Sequence, residues 1–333
     1  MAKRRLTRYQ KRRAKKAVKI VSIALAVCLA VSLIAIYYLD YFSLLPTPGA
    51  DLHGKNDPGY IPVAGEVLDV EVSAKQAFVY DCNRGEIVYL KGERQVLYPA
   101  STTKLLTILC ALEHLSPSEV ITPGDELTLV GEGSSVAYIT DNHRLTVEML
   151  IEGMLLPSGN DAAMVLAAAA GNRLSDGEVT GKEAVEVFVK AMNDYAKTLG
   201  AIDTHFTSPD GLAGEDHYTT LEDMLLISIA AAENPIIRRY AAMAEDNVTY
   251  ASGQTNTWVN TNALLDPDSP YYRPSVTGLK TGSLERNFCV ISTVEEGGER
   301  YIIGIFGAKD KNARFADTVA IIDHLFPQQE VNP

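Results

Sequence analysis

The sequence predicts an α+β fold in which an antiparallel sheet of about five strands packs against a helical lobe, preceded by an N-terminal transmembrane helix. Strand-like segments lie near both ends of the folded region, at residues 77–90 and 289–306. Between them, residues 146–233 show mostly helical spacing of apolar side chains. The simplest arrangement pairs the first and last segments in one sheet, so we expect the functional site where sheet and lobe meet.

Two hairpins account for most of the predicted strands. Residues 77–81 and 86–90 flank a turn that contains Gly85, and residues 289–294 and 301–306 flank a turn with two glycines, Gly297 and Gly298. Helices are predicted over residues 105–112, 146–154, 160–170, 182–199, 221–233 and 313–325.

Charge is distributed unevenly along the 333 residues. Residues 1–19 carry ten of the 30 Lys and Arg residues and no acidic residue. The remaining residues therefore carry 20 basic against 42 acidic side chains. A body this acidic repels phosphate groups, so nucleic acid is not an expected partner.

Residues 20–39 form a 20-residue run without a charged side chain, directly after the basic segment. This length suffices to cross a bilayer as a helix, and the flanking positive charge places the N-terminus in the cytoplasm. A cleaved signal peptide is the alternative, but its apolar core is usually shorter. We expect a basic cytoplasmic tail (1–19), a transmembrane signal anchor (20–39), a Pro- and Gly-rich extended linker (40–66) and an extracytoplasmic folded domain (67–333) of a single-pass protein of the cell membrane.

Three short motifs that suit nucleophilic acyl transfer occur in a fixed order along the chain. Each is weak alone, because Ser101 could cap a helix and the other two motifs read as a loop and a turn. Their combination and order are unlikely to arise by chance. The motifs are Ser101-Thr102-Thr103-Lys104, Ser158-Gly159-Asn160 and Lys280-Thr281-Gly282.

The first motif offers a nucleophile and its base. A serine hydroxyl is a poor nucleophile unless a nearby group accepts its proton. Ser101 and Lys104 are three residues apart, which places them on one face of a helix. Burial beside Leu105 and Leu106 would disfavour the charged amine and lower its pKa. The backbone N–H of Ser101 at the start of the helix would suit a developing oxyanion.

The other two motifs offer groups that relay a proton and hold a ligand. Ser158 could pass a proton between Lys104 and a leaving group, and Asn160 could hold an amide through its donor and acceptor. Lys280 is a fixed cation, Thr281 adds a hydroxyl donor, and Gly282 allows close approach to the strand. A ligand with a free carboxylate fits this set.

No cofactor is predicted, and neither is a metal. His217 could be a base or a ligand, but the chain has no His-Glu-x-x-His or similar pair. Cys28 lies in the apolar run, which leaves Cys82, Cys110 and Cys289. These three permit either one disulfide or buried free thiols.

Several longer segments carry a family resemblance between residues 74 and 325. The chain resembles the low-molecular-mass penicillin-binding proteins, specifically the serine-type D-alanyl-D-alanine carboxypeptidases of peptidase family S11. The matching segments are Tyr98-Pro-Ala-Ser-Thr-Thr-Lys, Gly133-Ser-Ser, Leu155-Leu-Pro-Ser-Gly-Asn-Asp-Ala-Ala, Ser208-Pro-Asp-Gly-Leu, His217-Tyr-Thr-Thr, Asn260-Thr-Asn and Thr277-Gly-Leu-Lys-Thr-Gly.

The resemblance implies a β-lactamase/penicillin-binding-protein-like fold and a function. It implies that residues 67–333 form a D,D-peptidase domain that removes the terminal D-Ala from peptidoglycan stem pentapeptides and is inhibited by β-lactam antibiotics. Ser101 would form the acyl-enzyme, with Lys104 as base and Ser158 as relay. The substrate would contact the remaining site residues: Asn160, Lys280, Thr281, Gly282, Ser283 through its N–H in the oxyanion hole, and Arg314 near the terminal carboxylate.

Two departures from the family pattern affect this interpretation. The chain ends after one last helix, whereas many members continue into a β-rich domain and a C-terminal anchor. Members usually have a Thr shortly after Lys-Thr-Gly and then Ala-Gly, but here residues 283–289 read Ser-Leu-Glu-Arg-Asn-Phe-Cys.

Two alternative functions stay open. A class A-like β-lactamase would need an additional Glu that activates water, and the nearest candidate, Glu222, lacks the accompanying Asn. A non-catalytic scaffold that binds stem peptides is the other alternative, suggested by the unusual residues after Gly282.

Overall fold

The computed structural model describes residues 59–92, 95–212, 214–285 and 287–327. The predicted cytoplasmic tail, the signal anchor at 20–39 and residues 40–58 of the predicted linker lie outside these residues. Within the described ranges, no helix has the length and apolar character needed to span a bilayer.

The strands of the described chain form one large and two small sheets. In chain order they are β1 (Gln76–Asp81), β2 (Glu86–Lys91), β3 (Val120–Ile121), β4 (Leu145–Thr146), β5 (Glu245–Thr249), β6 (Thr255–Val259), β7 (Val276–Leu284), β8 (Asn287–Glu296) and β9 (Glu299–Ala308). The large sheet has five strands in the order β2-β1-β9-β8-β7, all antiparallel. The predicted α+β architecture with a five-stranded sheet is confirmed.

Most helices lie between β2 and β7 in sequence. They are α1 (Lys104–Leu112), α2 (Val147–Leu155), α3 (Asn160–Leu174), α4 (Gly181–Thr198), α5 (Leu221–Glu233), α6 (Pro235–Ala241) and α7 (Ala313–Leu325). A short 3₁₀ turn, Ala100–Thr103, leads directly into α1. The predicted helices agree with these bounds to within a few residues.

The two faces of the sheet bury different sets of side chains. On β9, Ile302 and Phe306 pack into the core of the helical lobe. Ile303 and Ile305 point to the opposite face and pack with residues of α7 such as Ile321. This alternation follows the two-residue period of a strand, and it produces a sheet that is covered by the lobe on one side and by α7 on the other.

Glycines at both predicted hairpin turns adopt the backbone conformation that the turns need. Gly297 and Gly298 form the connection between β8 and β9 with φ of 62° and 88°. Positive φ at both central residues matches the right-handed twist of the flanking strands. Gly85, between β1 and β2, has φ of 73°.

Residues 61–64, at the end of the predicted linker, lie along the outer edge of β2. Ile87 N donates to Pro62 O and Ala64 N donates to Ile87 O, both at 2.8 Å. These bonds occupy backbone groups on a strand that is otherwise at the margin of the large sheet.

The β5–β6 hairpin and α6 are not predicted by the sequence interpretation. Trp258 on β6 is buried, and its indole N–H donates to Ala137 O at 3.0 Å. The hairpin therefore supports the loop before α2, and this loop also contacts Asn160 and Asp161 at the start of α3.

Candidate active site

Ser101 lies on the 3₁₀ turn at the junction of the large sheet and the helical lobe. The turn is closed by Thr102, whose N and Oγ1 donate to Pro99 O at 3.1 and 2.7 Å. Ala100 has φ of 48°, a strained value for a residue with a side chain. Such strain persists only where the surroundings fix it, which is typical of functional positions.

Lys104 is fully buried, and in its charged form its Nζ donates three hydrogen bonds. The acceptors are Ser101 Oγ at 2.9 Å, Asn160 Oδ1 at 2.7 Å and Asp210 O at 2.8 Å. Burial lowers the pKa of Lys104 to about 8, while the charges of Asp210 and Asp161 act in the opposite direction. A substantial neutral fraction near pH 8 allows the amine to accept a proton from Ser101.

The loop that supplies the Asp210 carbonyl has no assigned role in the sequence interpretation. The Asp210 carboxylate accepts from Ser208 Oγ and from Leu212 N, the latter at 3.0 Å. Thr107 Oγ1 on α1 donates to Pro209 O at 2.6 Å. Side chains therefore hold this loop against α1 and aim one carbonyl at the lysine.

The second motif lies on the turn before α3. Ser158 is buried with φ of 62°, and Asn160, the first residue of α3, places its Oδ1 on Lys104. Asn160 N donates to Ser135 O at 2.8 Å, which ties the turn to the loop before α2. Among the hydrogen bonds of the described residues, none joins the Ser158 hydroxyl to Ser101 or Lys104.

Asp161 is a supporting residue that the sequence interpretation missed. Its buried carboxylate accepts from Ala137 N at 2.8 Å, Ile139 N at 2.9 Å and its own helix at Ala162 N. A carboxylate in the first turn is favoured by the helix dipole. The arrangement locks the loop at 137–139 against the start of α3 and so fixes Asn160.

The third motif lies on β7, on the other side of the Ala100–Thr103 turn that carries Ser101 (the catalytic turn). A Cβ added to Gly282 would be 2.8 Å from Pro99 O and 3.3 Å from Ser101 N, so glycine permits this close approach. Thr281 Oγ1 is hydrogen-bonded to Thr261 Oγ1 at 2.5 Å. Lys280 is buried, and its Nζ donates to Thr281 O at 3.1 Å.

Arg314, on α7, supports β7 from behind. Its Nη1 donates to Gly282 O at 2.7 Å, Ser283 Oγ at 3.0 Å and Cys289 O at 3.1 Å. The guanidinium is buried over the ring of Phe315. The predicted residues Ser283 and Arg314 are thus in direct contact.

The site gathers three buried basic side chains, Lys104, Lys280 and Arg314. Burial, followed by the charges of Lys104 and Arg314, lowers the pKa of Lys280 well below its usual value, and burial lowers the pKa of Arg314 to about 10. None of the salt bridges between described residues involves these three basic side chains. Buried cations that lack a protein carboxylate favour an anionic ligand.

His217 supports the catalytic turn and is not placed to act as a base. Its Nδ1 accepts from Thr207 N at 3.1 Å, so Nε2 carries the proton and donates to Thr103 Oγ1 at 2.9 Å. Burial, with a smaller effect of His205, lowers the pKa of His217 to about 3. Of the cysteines, Cys82, Cys110 and Cys289 are free thiols.

A serine beside a buried lysine, with a cationic strand opposite, defines the class of serine hydrolases that form an acyl-enzyme. The chain belongs to the D-alanyl-D-alanine carboxypeptidase family, peptidase family S11, whose family model matches residues 63–310. The resemblance in the sequence is thereby confirmed.

Individual relatives agree with this assignment. The chain is 30% identical over 264 residues to D-alanyl-D-alanine carboxypeptidase DacF of Bacillus subtilis, covering 78% of this chain and 64% of that protein. It is 26% identical to DacA of Escherichia coli, covering 79% of this chain and 63% of the relative. The chain thus spans somewhat less than two thirds of the length of these two relatives.

Solved structures show the same fold. The crystal structure of the Streptomyces K15 DD-transpeptidase superposes with a TM-score of 0.70 at 27% identity, covering 78% of this chain and 99% of that one. A D-alanyl-D-alanine carboxypeptidase from Mycobacterium tuberculosis H37Rv superposes with a TM-score of 0.67 at 27% identity, covering 81% of this chain and 97% of that one.

Proposed function

We propose that the protein is a membrane-tethered serine D,D-carboxypeptidase that removes the terminal D-Ala from peptidoglycan stem pentapeptides through an acyl-enzyme on Ser101. The observation that carries the proposal is the 2.9 Å contact between Lys104 Nζ and Ser101 Oγ, at a lysine that burial makes a usable base. The names of the relatives support the substrate class.

Acylation begins with proton transfer from Ser101 to neutral Lys104. The Ser101 oxygen forms a bond to the carbonyl carbon of the penultimate D-Ala, and the carbonyl oxygen becomes an oxyanion. The backbone N–H groups of Ser101 and Ser283 stabilise this charge, which is the usual function of an oxyanion hole. The close approach of Gly282 to Ser101 N supports this pairing.

Collapse of the tetrahedral intermediate breaks the peptide C–N bond. The amine of the leaving D-Ala takes up the proton from Lys104 through the hydroxyl of Ser158, which lies on the turn next to Asn160. Water then attacks the ester carbonyl, and its proton passes to Lys104 as the C–O bond to Ser101 breaks. The products are free D-Ala and a shortened stem peptide, and Ser101 regains its proton.

The terminal carboxylate of the substrate lies against the third motif. The bound carboxylate favours the charged form of Lys280, which then supplies a cation, and Thr281 supplies a hydroxyl donor. All Nη1 bonds of Arg314 go to the protein, so this side chain acts mainly by orienting Ser283 and by adding positive charge behind β7. Asn160 holds the substrate amide while its Oδ1 stays on Lys104.

Penicillin would acylate Ser101 and leave slowly, which makes it an inhibitor. A class A-like β-lactamase needs a Glu that activates the deacylating water. Glu222 lies in the first turn of α5, where the adjacent Asp223 accepts from Asp203 N and Thr204 Oγ1 in a structural network. This setting favours a peptidase over a β-lactamase.

The membrane location rests on the sequence of residues 1–39. We propose a single N-terminal anchor in the cell membrane with the catalytic domain outside the cytoplasm, where peptidoglycan lies. Fractionation of cells that express the full chain should place it in the membrane pellet, and removal of residues 1–39 should release it. Recovery of the full chain in the soluble fraction would contradict the anchor.

Activity is tested with the full-length chain in detergent and diacetyl-Lys-D-Ala-D-Ala as substrate. We expect release of D-Ala, one penicillin adduct by intact mass, and loss of both in Ser101→Ala. Ser118→Ala, an exposed serine elsewhere, is the matched control and should behave like wild type. Peptide binding without D-Ala release or adduct would favour a scaffold, and rapid nitrocefin turnover would favour a β-lactamase.

A further inference from the structure

The connection between β7 and β8 differs from the family pattern and lies beside the catalytic turn. After Gly282 the strand continues only to Leu284, and β8 begins at Asn287. Leu284 and Asn287 are paired across the ladder, so only two residues of the sequence connect the two strands. The sequence Ser-Leu-Glu-Arg-Asn-Phe-Cys at residues 283–289 contains neither the Thr nor the Ala-Gly of the family pattern.

Asn287 bonds this hairpin to the residue before the catalytic turn. Its Nδ2 donates to Tyr98 O at 2.6 Å, a contact between residues 189 positions apart. The thiol of Cys289 lies 3.8 Å from the same oxygen. Tyr98 precedes Pro99, whose carbonyl closes the turn that carries Ser101.

A second set of contacts holds β7 in place opposite the catalytic turn. Arg314 Nη1 binds Gly282 O and Ser283 Oγ, which holds the strand that carries the Ser283 N–H. Gly282 lies close to Ser101 N because it has no Cβ. Glycine permits this close approach, and the bond from Asn287 to Tyr98 O joins the two segments beside it.

We infer that Asn287 is a positioning residue that sets the separation between the Ser101 and Ser283 N–H groups, and so completes the oxyanion hole in this chain. The inference rests on the proposed function and names a further residue for it. Oxyanion donors must reach one oxygen at hydrogen-bond distance, and a displacement of about 1 Å can cost about 100-fold in rate. The Asn287 side chain is only half-buried, so we expect its hydrogen bond to contribute less to folding stability than to catalysis.

The test compares Asn287→Ala with wild type as full-length proteins. An oxyanion hole acts on the transition state, so kcat for diacetyl-Lys-D-Ala-D-Ala should fall by about 10-fold or more with KM nearly unchanged. The affinity for a peptidyl boronic acid, which forms a tetrahedral adduct with serine, should fall by the same factor. Asn287→His, which retains an N–H donor, should recover most of the activity.

Asn83→Ala is the matched control, because Asn83 makes a similar contact at the opposite end of the sheet. Its Nδ2 donates to Gly298 O at 3.1 Å, far from the catalytic turn. The inference is overturned if both alanine variants have the same kcat, or if Asn287→Ala changes KM and leaves boronate affinity intact. Wild-type protein that neither releases D-Ala nor reacts with penicillin would instead contradict the proposed function.

Discussion

The Nε2–H of His217 donates to the hydroxyl of Thr103 across 2.9 Å, and this bond joins a distant loop to the turn that carries Ser101. The imidazole must be neutral in this arrangement, because its other nitrogen accepts from Thr207 N. A residue that resembles a catalytic base in the sequence is therefore a structural support.

The stability of the protein should fall on mild acidification because of His217. Its folded pKa of about 3 lies below the unfolded value, so its contribution is complete above about pH 6.5 and is lost as pH falls towards 3. At pH 5 the loss is about 2 kcal/mol. Urea unfolding of wild type and His217→Gln from pH 5 to 8 measures it, and the variant should show a weaker pH dependence; equal slopes would contradict the assignment.

The acylation rate should depend on the ionisation of Lys104. In the proposed mechanism the neutral amine accepts the Ser101 proton, so the rate should rise with pH and level off above about 8, the pKa of Lys104. Stopped-flow measurement of penicillin acylation at subsaturating concentration reports the free enzyme. A rate that stays constant between pH 6 and 9 would exclude Lys104 as the base.

Replacement of Lys280 by Met should stabilise the fold and strongly reduce catalysis. The buried amine has one carbonyl acceptor and two neighbouring cations, so the folded state disfavours its charge. We expect a gain of about 1–3 kcal/mol in the free energy of unfolding and a loss of about 100-fold or more in kcat/KM.

The sign of the pH effect provides a further check on Lys280. Its folded pKa lies below the unfolded value, so the gain from Lys280→Met should be greatest at low pH and disappear above about pH 10.5. Lys309→Met, at an exposed lysine, is the control and should change stability little. If Lys280→Met were less stable than wild type at pH 6, the prediction that the buried amine destabilises the folded state would be wrong.

Gly282→Ala should damage catalysis more than folding. The new Cβ would meet Pro99 O at 2.8 Å and force β7 away from the catalytic turn. We expect kcat/KM to fall by about 100-fold, because the oxyanion donors separate. Gly65→Ala, where a Cβ meets nothing within 4 Å, is the control. Comparable activity of the two variants would mean that the strand shifts without consequence.

Local patterns were sufficient to predict the sheet, most helices and the residues of the three motifs. The alternation of apolar residues in strands and their helical period in helices are both visible within a few residues of sequence. The three-residue spacing of Ser101 and Lys104 is equally local, and it places them on one helix face. The β5–β6 hairpin was missed because its exposed faces are polar, with Trp258 as the buried contact that fixes it. Contacts such as Asp210 O with Lys104, or Asn287 with Tyr98, join residues more than 100 positions apart, and no local pattern encodes them.

Other predictions depend on the environment of a side chain rather than on its type. His217 is a candidate base or ligand by residue type alone, whereas the sequence interpretation assigned no role to Asp161. Only the fold shows that one supports Thr103 and the other anchors the loop at 137–139. The burial that lowers the pKa of Lys104 is likewise a property of the packed lobe, although Leu105 and Leu106 beside it indicate the direction.

The contact of Pro62 and Ala64 with Ile87 bears on how a shortened version should be produced. A truncated protein that starts at residue 67 would lack the segment that bonds to Ile87 on β2. The backbone N–H and C=O of Ile87 would then be free to pair with another molecule. A fragment that begins before residue 60 keeps that cover. We therefore expect the longer fragment to stay monodisperse at concentrations where the shorter one self-associates.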